Sequence, residues 1–232
     1  MGIKAITFDV GSTLLFPDPP EDVVMQRALA SLGHDVVLES ITPYIETMYV
    51  EVYENELKTH PDFWADDDTS RDLWYAMYRW LATQLGFADI KEELATFVYQ
   101  AYLSADNWSL YDEVIPALEA LKARGIRMAV ISNWDGNLPQ LLQDIDIAKY
   151  FDTITTSALV NLRKPDPRIF ALTLDNLSLK PFEIMHVGDN VEADGFGARE
   201  AGVETIIIDR ERRYTGSDFK SIQSLLELVA LI

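Results

Sequence analysis

The hydrophobic pattern divides the chain into three stretches of different rhythm. The first, IKAITFDV, is short, apolar and β-branched, and it runs into the polar turn Gly11-Ser12-Thr13. A continuous apolar run of this length predicts a strand buried on both faces, as in a parallel sheet. From Phe16 to Asn107 the apolar positions recur at helical spacing and aromatic residues crowd together. VVMQRALASLG, ITPYIETMYVEVYENEL, SRDLWYAMYRWLATQLG and KEELATFVYQAYLS each suit an amphipathic helix, with HPDFWADDDTS as a loop between two of them. After that, helical and strand-like segments alternate to the end. VIPALEALKARG, NLPQLLQDIDIA, DPRIFALTLDNL and VEADGFGAREAG read as helices; IRMAVIS, FDTITTSA, EIMHVGD and ETIIID read as strands with their turns. Such alternation predicts an α/β fold with a doubly wound parallel sheet, built from residues 1–15 and 108–232 and interrupted by a mostly helical cap at 16–107.

Ligands of such sheets sit beyond the carboxyl ends of the strands, where the strand order reverses. That rule selects Asp9, Ser132, the segment around Lys164, and Asp189. Each has an ordinary explanation by itself. Asp9 starts a turn, and Ser132-Asn133 caps a helix. Asp166 caps another helix with Pro167 as its first residue, and Asn190 caps the next after a Gly188-Asp189 turn. What these explanations leave out is the joint order at successive strand ends.

That order resembles the haloacid dehalogenase-like hydrolases: FDVGSTLL, then VISNWD, then RKPDPRIF, then HVGDNVEADGFGAREAGV. The resemblance implies a Rossmann-like core with a cap that selects the substrate. It also implies an aspartyl-phosphate mechanism on a small phosphate monoester, with Asp9 as nucleophile and Mg2+ as cofactor. A carboxylate suits the role because it needs no deprotonation at neutral pH. By resemblance the metal ligands are the Asp9 carboxylate, the Gly11 main-chain carbonyl and the Asp189 carboxylate. Ser132, with backbone N–H groups at a following helix start, and Lys164 would hold the phosphoryl oxygens. Thr13, Asn133 and Asp194 are expected to support them. Asp194 would bind the metal through water or orient Lys164; its alternative is a solvated helical position.

The resemblance breaks at Gly11. Phosphatases of this family carry there a second Asp that protonates the leaving group, and Ser12 stands where glycine is usual. Loss of a general acid–base group forfeits ~10²–10⁴-fold in rate. Three readings follow: a magnesium-dependent phosphatase that is slow or restricted to good leaving groups, a binding module that keeps the fold and metal site, and a 2-haloacid dehalogenase. Dehalogenases also lack the second Asp, but they do not need the metal ligand that Asp189 retains.

Composition narrows the field. The 232 residues contain no cysteine, which excludes disulfides, thiolate–zinc sites and a thiol nucleophile. The formal net charge is −19, with 38 acidic against 19 basic residues. Nucleic acid is therefore an unsuitable partner. The same charge serves solubility or adaptation to high salt, and it repels an anionic substrate, so local cations have to attract it. No apolar run reaches the roughly 18 residues of a membrane span, and MGIKAITFDV lacks the sections of a signal peptide. A cytoplasmic protein is expected. His34, His60 and His186 are too scattered for a zinc site, and His186 inside a strand suits a satisfied core histidine. The aromatics of the cap (Tyr44, Tyr49, Tyr53, Trp64, Trp74 and their neighbours) are expected to pack rather than to line a pocket.

Overall fold

The computed structural model describes residues 2–60, 63–214 and 218–232. The chain forms two compact units, one from Met1–Phe16 with Leu110–Ile232 and the other from Pro17–Ser109. Local pattern did not reveal two strands at the junctions of these segments, β2 (Leu15–Pro17) and β3 (Trp108–Leu110). These form a separate two-stranded sheet where the chain leaves and re-enters the core.

The core unit is an α/β fold around a six-stranded sheet. In chain order its strands are β1 (Ala5–Phe8), β4 (Arg127–Ser132), β5 (Thr153–Thr156), β6 (Ile184–Gly188), β7 (Glu204–Ile208) and β8 (Lys220–Ile222). Their spatial order is β5-β4-β1-β6-β7-β8, and the paired strands run parallel. Phe8 stands opposite both Val130 and Val187, so β1 is central. The chain builds outward from β1 through β4 to β5, then returns to its other side with β6. The carboxyl end of β1 is therefore the place where the strand order reverses.

Helices α6 (Val114–Ala123), α7 (Leu138–Asp144), α8 (Ser157–Val160), α9 (Pro167–Leu177), α10 (Gly197–Glu200) and α11 (Leu225–Leu231) complete this unit. The clearest amphipathic case is α9. Asp166 accepts the Arg168 N–H as its cap and Pro167 opens it, as expected. Its Ile169, Phe170 and Leu177 are buried with Ala5, Ala129 and Ile131 of the sheet. Each such side chain contributes about 1.5–3 kcal/mol by leaving water. In this unit α8, β8 and α11 also went unforeseen, with four, three and seven residues too short for a clear periodic signature.

The helical unit contains α1 (Glu21–Ser31), α2 (Thr42–Met48), α3 (Glu54–Thr59), α4 (Asp67–Gln84) and α5 (Lys91–Leu103). A π-helical turn, Tyr49–Tyr53, joins α2 to α3 without a break. Asp66 and Thr69 form a reciprocal capping box that starts α4 inside the predicted loop, so that its last four residues, Asp67 to Ser70, are helical. Pro61 and Asp62 of that loop lie outside the described residues. The aromatics pack as expected: Trp74 stacks on Tyr78 and on Tyr102, with ring centroids 5.6 and 5.4 Å apart. No described helix is long and apolar enough to cross a membrane.

One charged group is buried in this apolar bundle. Glu21 accepts hydrogen bonds from the Tyr49 and Tyr78 hydroxyls on the same oxygen, at 2.8 and 2.9 Å. Burial pushes its carboxyl above the usual range, and the two phenols oppose that shift. A carboxyl with a raised folded-state pKa makes folding less favourable as pH climbs past its unfolded value, about 4.3. Glu21→Gln keeps an oxygen for both phenols and removes the charge. Its melting temperature should exceed that of the wild type at pH 8, and the difference should shrink at pH 4. Thermal melts of both proteins across that range check the sign.

Candidate active site

Four chain segments meet at the carboxyl ends of β1, β4 and β6. Asp9 follows β1, with its N–H bonded to the Val187 carbonyl at 2.8 Å. Ser132 is the last residue of β4, and its hydroxyl donates to Asp9 Oδ1 at 2.9 Å. Lys164 Nζ lies 2.6 Å from the same oxygen and 2.5 Å from Asp194 Oδ1. Asp9, Asp189 and Asp194 each offer a carboxylate oxygen, all within 4.8 Å of one another. Asp9, Ser132, Lys164 and Asp194 are buried, and Asp189 is partly so.

The charges decide one another's state. Burial raises the Asp9 carboxyl and so does Asp194, against the lowering pull of Lys164. Burial, then Asp9 and Asp194, lifts Asp189 well above the usual carboxylate range. Asp194 goes the other way. Burial alone would raise it, but Lys164 and His186 together hold it below the usual range. For Lys164 burial works against the charge, and the two carboxylates outweigh it, leaving the ammonium more firmly protonated than a free lysine.

Asp194 is therefore not a solvated helical residue. Its Oδ1 meets Lys164 and also His186 Nε2 at 3.0 Å, and its Oδ2 accepts the Asn190 N–H at 3.0 Å. With Asp194 ionised, the His186 Nε2–H donates to it while Nδ1 accepts from Thr7 Oγ1 at 2.8 Å. Sequence reasoning placed His186 correctly in the core but missed this link. Asp194 sits in a π-helical turn, Val191–Phe196, whose first N–H groups are capped by Asn190 Oδ1 as expected. Gly188 makes the approach possible: a Cβ there would lie 2.2 Å from the Asp194 carboxyl.

Asn133 departs from its expected place. No helix starts after Ser132, and α7 begins only at Leu138. Freed from capping, Asn133 grips the main chain of Lys164, donating from Nδ2 to its carbonyl at 3.0 Å and accepting its N–H at 2.7 Å. The sequence signal was adjacency to Ser132; the partner, 31 residues away, carried none.

The loop after Asp9 is tight. The N–H groups of Thr13, Leu14 and Leu15 converge on the Val10 carbonyl, and the Ser12 N–H reaches the Leu15 carbonyl. Ser12 has φ +54°, a left-handed conformation that explains why glycine is usual there. Gly11 has no such φ, and a Cβ on it would meet only Trp134 Cζ3 at 3.4 Å. Thr13 is fully buried, its hydroxyl without a hydrogen-bond partner among the described residues.

The geometry is that of a family the sequence already matches. The haloacid dehalogenase-like hydrolase profile fits residues 3–202, and the chain belongs to that family. The mouse haloacid dehalogenase-like hydrolase domain-containing protein 3 is 27% identical over 89% of this chain and 82% of its own length. A ribulose-1,5-bisphosphate 5-phosphatase from Halopiger xanaduensis is 28% identical over 88% of this chain and 84% of its own. A phosphoserine phosphatase from Thermus thermophilus is 35% identical over 46% of this chain and 43% of its own. In fold, the chain resembles the Bacillus subtilis HAD-hydrolase YfnB bound to magnesium, with a TM-score of 0.78, 15% identity, and coverage of 100% of this chain and 99% of that one.

Two glycines of the site should respond oppositely to the same change. Gly188→Ala forces Asp194 away from Lys164 and His186 and should lower stability by roughly 2–4 kcal/mol, the range for a disrupted buried ion network. Gly11→Ala adds only an ordinary contact with the Trp134 ring and should change stability by less than about 1 kcal/mol. Urea denaturation midpoints of the two variants make the comparison.

Proposed function

We propose that this hydrolase is a magnesium-dependent phosphatase of small phosphate monoesters, with Asp9 as its nucleophile. The observation that carries this reading is the set of oxygens left uncommitted. Among the described residues, Asp9 Oδ2, the Asp189 carboxylate and the Gly11 carbonyl accept no hydrogen bond from another residue. Asp194, by contrast, has both oxygens engaged, which favours its role as the residue that orients Lys164. Hard oxygens of this kind suit magnesium, with water completing the octahedron. When all are ionised, three carboxylates face one ammonium, an excess of two negative charges that a divalent cation cancels. When bound, the cation would shield the anionic ester from the anionic nucleophile and polarise the phosphoryl oxygens. The two phosphatases among the similar proteins support the same chemistry.

The protein groups divide the remaining work. A carboxylate oxygen of Asp9 forms a bond to phosphorus as the ester oxygen departs with its electron pair. Water then cleaves the acyl phosphate and regenerates Asp9. Lys164, gripped at its main chain by Asn133 and at Nζ by Asp194, stabilises charge growing on the phosphoryl oxygens. The Ser132 hydroxyl, which now points at Asp9, donates to a phosphoryl oxygen once it is in place. No carboxylate at position 11 protonates the leaving oxygen, so esters of acidic alcohols and phenols are the favoured substrates. The uncommitted Asp189 also weighs against a dehalogenase, which has no use for a metal ligand there.

Asp9→Asn should abolish magnesium-dependent hydrolysis of p-nitrophenyl phosphate while changing stability by less than about 1 kcal/mol. The substitution removes one member of a crowded carboxylate group and leaves Asp194 to pair Lys164. Undiminished turnover would remove Asp9 from the mechanism.

Gly11→Asp supplies the missing acid. Room for its Cβ exists and the backbone is not left-handed, so the variant should fold. Hydrolysis of alkyl phosphates, whose leaving groups need a proton, should rise by ~10²-fold, the low end of the general-acid range. Hydrolysis of p-nitrophenyl phosphate, whose leaving group departs unaided, should change little. A folded variant without gain on any alkyl ester would favour a binding module instead.

A further inference from the structure

Arg210 leaves the sheet just beyond the carboxyl end of β7, and its contacts are with distant residues. Its Nη1 donates to the Ser12 carbonyl at 2.7 Å and its Nη2 to the Thr13 carbonyl at 2.9 Å. Nη2 also meets Glu113 Oε1 at 2.7 Å, and the guanidinium lies 3.6 Å from the centroid of the Tyr111 ring. Tyr111 itself reaches the same loop through its N–H, which bonds the Leu14 carbonyl at 3.3 Å. The segment that delivers Arg210 is also held, since Asp209 accepts the N–H groups of Arg213 and Tyr214. Three of its five N–H donors are committed to these oxygens, and only 18% of its side chain is exposed.

The consequence lies in which carbonyl remains. Between positions 10 and 13, the Val10 carbonyl collects three N–H groups, and those of Ser12 and Thr13 take the guanidinium. Only the Gly11 carbonyl is without a partner among the described residues. The loop includes a serine in a left-handed conformation, so its shape needs outside support. We infer that Arg210 is a positioning residue for the metal site, fixing the loop so that the Gly11 carbonyl stays free for the cation. The inference rests on the magnesium reading given above. A planar fork is needed, because lysine offers its donors from a single point and cannot span two successive carbonyls and Glu113.

The test uses the full chain and magnesium chloride alone, with magnesium-dependent stabilisation followed by thermal melts and calorimetric titration. Arg210→Gln and Arg210→Lys should both raise the magnesium concentration for half-saturation by ~10-fold or more, as loss of groups that orient metal ligands does elsewhere. At saturating magnesium, kcat on p-nitrophenyl phosphate should fall by a smaller factor. Arg210→Ala should regain part of its magnesium affinity when a few millimolar guanidinium is added. Should these variants not fold, Glu113→Gln, which loosens the arginine without removing it, should raise half-saturation by a smaller but measurable factor. Variants that melt earlier without magnesium yet keep the wild-type half-saturation would make Arg210 purely structural and overturn the inference. A wild-type chain indifferent to magnesium would overturn the magnesium reading itself, and the inference with it.

Discussion

The buried ammonium of Lys164 governs the arrangement around it. Three carboxylates approach one another within 4.8 Å in a partly dehydrated crevice, and mutual repulsion would drive them apart or force them to take up protons. Lys164 bridges two of them directly. An unpaired buried charge costs several kcal/mol, so neither side of this arrangement is stable without the other. The surrounding sequence serves that one ammonium. Asn133 fixes its backbone, Gly188 makes room for its partner Asp194, and His186 and Asn190 hold that partner still. Asp189 has no such ammonium partner among the described residues.

The position of the ammonium also bears on the acidic surface. A net charge of −19 disfavours the approach of an anionic ester, and the positive groups of the site are largely committed. Lys164 is enclosed by carboxylates, and Arg210 is bound to main-chain carbonyls and Glu113. Beyond about 10 Å in salt the surface charge is screened, so attraction has to arise within the crevice, where a bound divalent ion would be the largest positive charge.

The strands are legible in the sequence. Short β-branched runs ending in Asp9, Ser132 and Asp189 mark them and the ends where the candidate residues gather, because a parallel sheet requires continuous apolar strands. The choice between a solvated and a buried Asp194 could not be made that way. It depends on the missing Cβ of Gly188, a through-space relation, and on His186, which local pattern marks only as core. Asn133 offered a misleading local signal, since an asparagine after a strand usually caps a helix, whereas here tertiary hydrogen bonds to Lys164 prevail. Arg210 was discoverable in principle. It follows ETIIID at the same sheet edge that singled out the others, but the two carbonyls it holds lie nearly the whole chain away.

The central place of β1 also bears on how the molecule is assembled. This strand precedes the other strands of its sheet in the chain, yet its neighbours begin at Arg127 and Ile184, and Asp9 meets Ser132 and Lys164 across separations of 123 and 155 residues. Contacts so distant in sequence form slowly, because long loops have to close before any contact stabilises them. The helical unit, by contrast, is one unbroken segment from Pro17 to Ser109 and can begin to fold while the rest is still being made. A nascent chain would then carry an early helical domain beside a strand whose two edges are both unpaired. For that interval β1, which the finished sheet buries completely, offers two unpaired edges to aggregation and to any chaperone that would shield them.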